Sequence, residues 1–344
     1  MSKQTLANIY GFRAKRGLLG VEIECEGQRL PDRVTDKWTI HNDGSLRNGL
    51  EYVFAQPLTY DQAMEALDEF EATLQQYKTL PKMSYRTSVH VHMNVGDRTP
   101  LQVLNQIILY GIFEEILVDW CGPLRRGNLF CLRMKDANSL PSKVKKWARN
   151  VQDPQILNTD HLRYAALNMR SIFVHGSLEF RSMRGTTDKT LIRKWIDMLM
   201  CLYTAAEEFE QPNQIIEQAS AIGLREFGSM TFGRDLWNEL IRENPNWQDK
   251  MQNGIWLIQD AAYNYEPLEA IEKVGKAGKK ANVILDDELV AGPGEGLRPV
   301  PVVDWQRPPR DAPRLREAMN MMLRENMDNH AWQVQDADRV RDDF

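Results

Sequence analysis

The residues best suited to chemistry are carboxylates and imidazoles that recur at every second position of short segments. Glu22 and Glu24 alternate with valine and isoleucine, and His90 and His92 alternate with valine and methionine. Side chains at alternate positions of a β-strand point to the same face of the sheet. We therefore expect these ionisable groups to share the polar face of one sheet.

Further ionisable residues extend this pattern. Asp43 occupies a turn, Glu51 lies in the next strand-like segment, and Glu179 precedes Arg181 by two positions. A solvent-facing sheet normally mixes both signs of charge with neutral polar residues, whereas these strand-like segments contain no lysine. Because neighbouring carboxylates repel one another, a bound cation is the simplest compensation.

The types of donor atom indicate which ion and which ligand would bind. Several carboxylates with an imidazole suit Mg²⁺ or Mn²⁺ better than zinc, which prefers cysteine and histidine. The guanidinium of Arg181 can donate hydrogen bonds to two phosphate oxygens at once. A solvated sheet face is the alternative explanation for any single strand, but the coincidence over several strands favours a cation site.

The elements that must position these residues follow one another without a regular βαβ alternation. Strands are predicted at 20–26, 38–41, 50–55, 88–95, 171–174 and 177–183. Helices are predicted after the capping residues Thr59, Thr99 and Asp188. Residues 122–150 are predicted to form a loop, and residues 160–169 a short helix or strand. Strands joined by hairpins, with helices between them, favour an α+β fold with a largely antiparallel sheet.

The composition excludes several classes of protein. The chain has 344 residues, of which 42% are hydrophobic, so wholesale disorder is excluded. With 43 basic and 48 acidic residues the chain has a net charge of −5, which provides no general attraction to nucleic acid. We therefore do not expect nucleic acid as a partner. We expect no membrane association, because no uninterrupted apolar stretch approaches the roughly 20 residues of a membrane span. The four cysteines form no C-x-x-C motif, which indicates reduced thiols and a cytoplasmic location.

Several segments, taken in order, resemble the amidoligase family of the carboxylate–amine ligase superfamily, which includes glutamine synthetase and glutamate–cysteine ligase. These segments are Gly20–Glu24, Trp38 with Asp43–Leu46, Gly49–Glu51, His90–His92 and Leu178–Arg181. The resemblance covers roughly residues 19–210. It implies a curved, mainly antiparallel sheet that forms a half barrel, with helices packed on the outer face and Mg²⁺ and ATP held on the inner face.

The activity that the resemblance implies is that of an ATP- and Mg²⁺-dependent ligase that joins a carboxylate to an amine and releases ADP. An amide or isopeptide bond would form through an acyl phosphate. Amino acids, peptides or proteins would supply the carboxylate and the amine, and Mn²⁺ could replace Mg²⁺. The identity of the two substrates stays open.

The resemblance also implies which residues bind the metal and the nucleotide. The metal ligands would be Glu22, Glu24, Glu51, His90 and Glu179. His92, Arg181 and Arg184 would contact the ATP phosphates, and Arg181 would also stabilise the phosphoryl group during its transfer.

The substrates would meet a second set of residues. Asp43 or Glu51 would bind the amine in its ammonium form and accept its proton, and Asp43 could instead have a role at the metal. Tyr164 and Asn168 would line the substrate pocket. All of these roles are implied by the resemblance.

The chain divides into three predicted parts. Residues 1–275 would form the catalytic domain, with a core over 19–210 that is completed by helices over 211–275. A Gly/Pro-rich linker is predicted over 276–313, and a C-terminal helix with a polar tail over 314–344. Leu315 and Met322 share one face of that helix, which we expect to dock on the catalytic body or on a second subunit. Homo-oligomerisation therefore stays open.

Two other functions stay open on the sequence alone. A cupin-type metal-dependent oxygenase or isomerase also uses His-x-His on a strand. Its motif needs a glutamate four or five residues after the second histidine, where this chain has Gly96 and Asp97. A non-catalytic protein could also retain the ligase fold and use the Pro-rich tail for interactions, although the intact set of ionisable residues argues against it.

Overall fold

The computed structural model describes residues 4–15, 17–137 and 139–268. The strands are β1 (Leu19–Glu26), β2 (Trp38–His41), β3 (Gly49–Phe54), β4 (Ser88–Asn94), β5 (Leu167–Asn168) and β6 (Ser177–Arg184). The helices are α1 (Leu6–Tyr10), α2 (Tyr60–Tyr77), α3 (Pro100–Trp120), α4 (Ser139–Arg149), α5 (Ser171–His175), α6 (Lys189–Ala205), α7 (Asn213–Ile222), α8 (Leu224–Phe232), α9 (Arg234–Arg242) and α10 (Trp247–Tyr263). The predicted linker over 276–313 and the predicted C-terminal helix and tail over 314–344 lie outside the described residues.

The sheet has six strands in the order β2-β3-β1-β4-β6-β5. Every neighbouring pair is antiparallel, which confirms the predicted α+β fold with an antiparallel sheet. Strands β2 and β5 form its two edges. The sheet is not strongly curled, so it curves less than the half barrel that the resemblance implied.

One face of the sheet packs against the hydrophobic core. Val21, Ile23 and Cys25 of β1 are fully buried, as the alternation of the sequence predicts. On the same face, the ring of Phe180 in β6 lies 5.2 Å from the ring of Tyr110 in α3. The ionisable residues at the intervening positions therefore lie on the opposite face.

Helix α3 is a core helix that supports the sheet from behind. Thr99 and Gln102 form a reciprocal capping box with Pro100 in the first turn, which confirms the predicted start. Its length and composition would allow a membrane span, but 89% of its most apolar window is buried inside the protein. Helix α10 approaches it so closely that a Cβ atom at Gly254 would lie 2.6 Å from the carbonyl oxygen of Gly111.

Residues 171–174 form a helix, so the strand predicted there was wrong. They belong to α5, which ends at Gly176. This glycine has a φ of 75°, in the left-handed region that most other residues avoid. The β-branched Ile172 and Val174 favour a strand by propensity. The single helical turn prevails because Ile172 is buried in the core and the N–H of Gly176 caps the turn by donating to the carbonyls of Ser171 and Ile172.

The loop predicted over 122–150 was wrong in its second half, which contains α4. Leu140, Val144 and Trp147 of this helix are buried at helical spacing. The basic residues between them obscure that apolar stripe in the sequence. Over 160–169 the chain forms a 3-10 turn and then β5, so both of the predicted forms occur.

Candidate metal centre

The strand register places the predicted ionisable residues side by side on the polar face of the sheet. The cross-strand pairs are Glu22 with His90, Glu24 with Glu51, and His92 with Glu179. Residues that are directly opposite in an antiparallel pair have Cβ atoms about 5 Å apart. Side chains that are distant in the sequence therefore form one cluster.

Glu22 lies at the centre of this cluster. One of its carboxylate oxygens is 2.8 Å from Nδ1 of His90, and the other is 3.0 Å from Nε2 of His92. The opposite nitrogen of His90 lies 2.8 Å from the hydroxyl of Ser88. That hydroxyl donates a hydrogen bond of 2.6 Å to Glu24. A continuous chain of hydrogen bonds thus fixes the side chains of β1 and β4 relative to each other.

Glu179 joins the cluster from β6. Its carboxylate lies 3.7 Å from Nδ1 of His90, accepts a hydrogen bond of 2.6 Å from Asn168 and forms an ion pair with Arg181. Nε of Arg181 donates to the carbonyl of Phe130 at 3.4 Å. Its Nη2 has no hydrogen-bond partner within the described part of the chain, so this nitrogen is free to meet an oxygen of a ligand.

The potential ligand atoms gather into three overlapping groups, each with all its atoms within 4.8 Å of one another. The groups are Glu22 with Glu51 and His90, Glu22 with His92 and Glu179, and Glu24 with Asp43 and Glu51. The structure therefore brings together every metal ligand that the resemblance implied. Each group contains at least two carboxylates and at most one imidazole, which is a donor set suited to Mg²⁺ or Mn²⁺.

Glu51 shows that the cluster has a local excess of negative charge. Burial raises the pKa of Glu51 to about 8, assisted by the nearby carboxylates of Glu22, Glu24 and Asp43. A carboxyl group that holds its proton this firmly is one whose ionised form lacks a compensating cation. A bound divalent ion would supply that compensation, so the residues present fit such an ion.

Other carboxylates of the cluster are kept ionised by basic neighbours. Burial opposes ionisation of Glu22, but the imidazoles of His92 and His90 outweigh it and hold its pKa well below the usual value. Burial likewise opposes ionisation of Glu179, and His92 with Arg181 lowers its pKa. Ionised carboxylates are the form that binds a hard cation.

His92 is held from behind by two serine hydroxyls. Its Nδ1 lies 3.0 Å from the hydroxyl of Ser177 and 3.3 Å from that of Ser171. The two hydroxyls are 3.1 Å apart. Burial would lower the pKa of His92, but the carboxylate of Glu22 outweighs it and raises the pKa. Such outer contacts direct the second ring nitrogen toward the cluster, as they do for histidines that ligate metals.

Two residues that the resemblance assigned to ligand binding make no contact with the cluster within the described residues. Nη1 of Arg184 donates to the carbonyls of Trp120 and Cys121 at the end of α3, at 3.3 and 3.1 Å. Tyr164 is 37% exposed and its hydroxyl is bonded to Arg163. Their proposed roles in phosphate and substrate binding stay predictions.

The two serines behind His92 were not singled out from the sequence. Ser177 occupies the same set of alternate positions as Glu179 and Arg181, so the period of two was a sufficient signal. Ser171 carried no such signal, because the segment around it was predicted to be a strand and is a helix.

A comparison with protein families agrees with this arrangement. The family model described as "Putative amidoligase enzyme" matches residues 3–202, a range that contains every residue of the cluster. A search of the curated proteins found no match. The family match covers more than half of the chain, and the chain therefore belongs to the amidoligase family.

Proposed function

We propose that the protein is an ATP- and Mg²⁺-dependent ligase that joins a carboxylate to an amine, forms an amide or isopeptide bond and releases ADP. The observation that carries this proposal is that three oxygen-rich ligand groups share one sheet face with the partly free guanidinium of Arg181. Membership of the amidoligase family supports the class of reaction.

The reaction needs ATP because a carboxylate has no good leaving group. Transfer of the γ-phosphoryl group to a carboxylate oxygen breaks the bond to ADP and forms an acyl phosphate. The amine nitrogen then attacks the carbonyl carbon, a C–N bond forms, and the C–O bond to phosphate breaks. Phosphate leaves with the bonding electron pair, and the nitrogen loses its proton to a base.

The carboxylates and imidazoles of the polar face would hold the metal ions. The proposed ligands are Glu22, Glu24, Glu51, His90 and Glu179, with His92 as an additional one. When bound, Mg²⁺ neutralises charge on the β- and γ-phosphate oxygens. The sheet holds these side chains in place before any substrate binds, through the hydrogen bonds from Ser88 and Asn168.

Arg181 would stabilise the phosphoryl group during its transfer. Its side chain is 18% exposed and is anchored by Glu179. The free Nη2 can therefore meet a phosphoryl oxygen without a rearrangement of the site. A fixed positive charge at this place acts on the charge that develops in the transition state.

Asp43 and Glu51 would bind the amine substrate and accept its proton. An amine arrives at neutral pH as an ammonium ion, which a carboxylate such as Asp43 binds. Glu51 lies beside Asp43 and Glu24, so its carboxylate is placed to accept a proton from the bound amine. This division of roles separates ammonium binding from proton transfer.

The proposed setting is the cytoplasm, with amino-acid, peptide or protein substrates and without nucleic-acid or membrane partners. The four cysteines are free, which agrees with a reducing compartment. The formal net charge of −5 provides no general attraction to polyanions.

The fold argues against the cupin alternative. Cupins are double-sheet jelly rolls, whereas the described residues form one open sheet of six strands. The non-catalytic alternative predicts the same fold, so only an activity measurement distinguishes it from the ligase.

ADP release in the presence of ATP, Mg²⁺ and a panel of amino acids and peptides tests the proposal. We expect release to depend on both a carboxylate and an amine. Hydroxylamine, supplied in place of the amine, should yield an acyl hydroxamate because it attacks the acyl phosphate. Glu22→Gln should abolish both products, whereas Glu208→Gln, which changes an exposed glutamate outside the cluster, should retain them. Absence of ADP release with the whole panel would favour the non-catalytic alternative.

A further inference from the structure

A pocket of about 570 Å³ lies beside the metal centre, between the loop that follows β1 and the loop that precedes β3. Its lining comes from residues within 27–30 and 42–50. Asp43 belongs to this lining and also to the ligand group of Glu24 and Glu51. The volume is typical of sites for small molecules. One side of the pocket therefore adjoins the centre where the bond would form.

Two residues of the pocket hold a backbone conformation that non-glycine residues rarely adopt. The φ angle is 58° at Arg29 and 53° at Asn48. Among the other non-glycine residues that the structure describes, only Lys78 has a positive φ, and it ends helix α2. Such a conformation is less stable than an ordinary one, and strain of this kind concentrates at ligand sites.

The two loops are tied to each other by reciprocal hydrogen bonds. The backbone N–H of Gly27 donates to the carbonyl of Asn48 at 3.1 Å, and the amide of Asn48 donates to the carbonyl of Gly27 at 3.0 Å. This connection maintains both strained residues. Arg29 follows Gly27 by two positions, so this connection lies next to it in the wall of the pocket.

The charges of the pocket are those that a zwitterion would need. Arg29 is exposed and makes no ion pair or side-chain hydrogen bond within the described residues. Asp43 supplies a negative charge on the side of the metal centre. The other lining residues are neutral and include the amides Gln28 and Asn42 and the apolar Leu46.

Resting on the proposed function, we propose that this pocket binds the amine substrate, and that this substrate is an amino acid or a short peptide with a free carboxylate. Its ammonium group binds Asp43, and its carboxylate binds Arg29. After losing one proton to a carboxylate of the centre, the nitrogen attacks the carbonyl carbon of the acyl phosphate, and it gives up a second proton to the departing phosphate. The C–N bond forms, the C–O bond to phosphate breaks, and phosphate leaves with the electron pair.

The position of the pocket favours the amine over ATP as the partner of Arg29. The pocket lies at the β1–β3 side of the sheet, whereas Arg181 belongs to β6. Strands β3 and β6 are three strand spacings apart in the sheet order, which corresponds to roughly 14 Å at about 4.8 Å per strand. A phosphoryl group near Arg181 and an amine near Asp43 would thus approach the reacting carboxylate from different sides.

The test compares each amino acid or dipeptide with its C-terminal amide, which keeps the amine and lacks the carboxylate. Acceptor-dependent ADP release is measured for the wild type, for Arg29→Gln and for Arg33→Gln, which changes an exposed arginine of the same loop outside the pocket. We expect the wild type to have a KM about 10-fold lower for the acid than for the amide. Arg29→Gln should raise the KM of the acid by the same factor and leave kcat and the KM of the amide unchanged. Arg33→Gln should behave as the wild type.

Three results would overturn this proposal. They are equal use of acid and amide by the wild type, discrimination that survives Arg29→Gln, and a rise of the KM for ATP instead of that for the acceptor. If no pair supports ADP release, the proposed activity fails, and calorimetric binding of the same pairs to the Mg²⁺-loaded protein tests the pocket. Binding of acids but not amides, lost in Arg29→Gln, would uphold the pocket; absence of binding at millimolar concentration would reject it.

Discussion

The carboxylates of the site differ in how firmly they hold a proton, although all lie on one face of the sheet. Burial and three neighbouring carboxylates raise the pKa of Glu51 to about 8. Burial acts in the same direction on Glu179, but His92 and Arg181 outweigh it and lower its pKa. The register explains the difference, because Glu51 faces Glu24 whereas Glu179 faces His92. In the metal-free protein, Glu51 is therefore a carboxyl group of the site whose charge changes near neutral pH.

In the protein without Mg²⁺, Glu51→Gln should raise the free energy of unfolding at pH 8 by about 1–2 kcal/mol, after allowance for solvent screening, and change it little at pH 4.5. Between about pH 4.5 and pH 8, the unfolded chain releases the Glu51 proton while the folded protein retains it. The stability of the wild type therefore falls as the pH rises through this window. The amide cannot ionise, so the variant escapes this loss.

Urea denaturation in EDTA at the two pH values measures this effect, with Glu208→Gln as the control for an exposed glutamate. The same dependence of stability on pH in the wild type and in Glu51→Gln would contradict the prediction.

Arg181→Gln should lower kcat for ADP release by about 10²–10³, because a fixed charge on the developing transition state is lost. Arg181→Lys should recover part of the rate, since an ammonium group keeps the positive charge but lacks the two coplanar N–H donors of the guanidinium. Arg126→Gln is a matched control, because Arg126 is 52% exposed and pairs with Asp119 away from the cluster. Thermal unfolding of each variant shows whether the fold is intact. A full rate in Arg181→Gln would remove this role.

At the scale of elements, the alternation of the sequence was sufficient to predict the strands that carry the site. β1, β4 and β6 were placed within one or two residues of their bounds, and the polar face followed from their period of two. Which strands are neighbours was not readable from the alternation. That order depends on long-range pairing, such as β1 between β3 and β4, and it creates the contact of Glu22 with both histidines.

The segments that sequence reasoning missed are short helices whose stability comes from packing. α5 is a helix of five residues that contains two β-branched side chains, so propensity favoured a strand. α4 buries Trp147 and Val144 beneath a basic outer face. In both cases tertiary contacts outweigh the local preference.

The corner formed by β4, α5 and β6 should determine how well His92 binds a metal. Ser177→Ala removes the hydroxyl that lies 3.0 Å from Nδ1 of His92, and the affinity for Mn²⁺ should fall about 10-fold because the ring is no longer fixed. Calorimetric titration of Mn²⁺ measures this change. Ser229→Ala, which alters a helical serine far along the chain in α8, should leave the affinity unchanged. Unaltered Mn²⁺ binding in Ser177→Ala would mean that His92 is not held for a ligand role.

At the scale of the whole molecule, the core extends beyond the region that matches the family. The match ends at residue 202, but α10 packs against α3 where Gly254 meets the backbone of Gly111 and Ile112. α3 in turn supports the face of the sheet opposite the metal centre through contacts such as Tyr110 with Phe180. The helices after residue 202 therefore belong to the structural unit that keeps the site rigid.

Mg²⁺ should stabilise the entire protein against unfolding, because it binds the native cluster and not the unfolded chain. At a concentration 100 times the dissociation constant, the expected stabilisation is about 2.7 kcal/mol, which corresponds to a rise of several degrees in Tm. Glu22→Gln should remove most of this rise, since Glu22 belongs to two of the three ligand groups. Differential scanning calorimetry with and without Mg²⁺ measures the shift, and Glu208→Gln should retain it in full. If Mg²⁺ raised the Tm of Glu22→Gln as much as that of the wild type, the stabilising ion would have to bind without Glu22, as it could at the group of Glu24, Asp43 and Glu51.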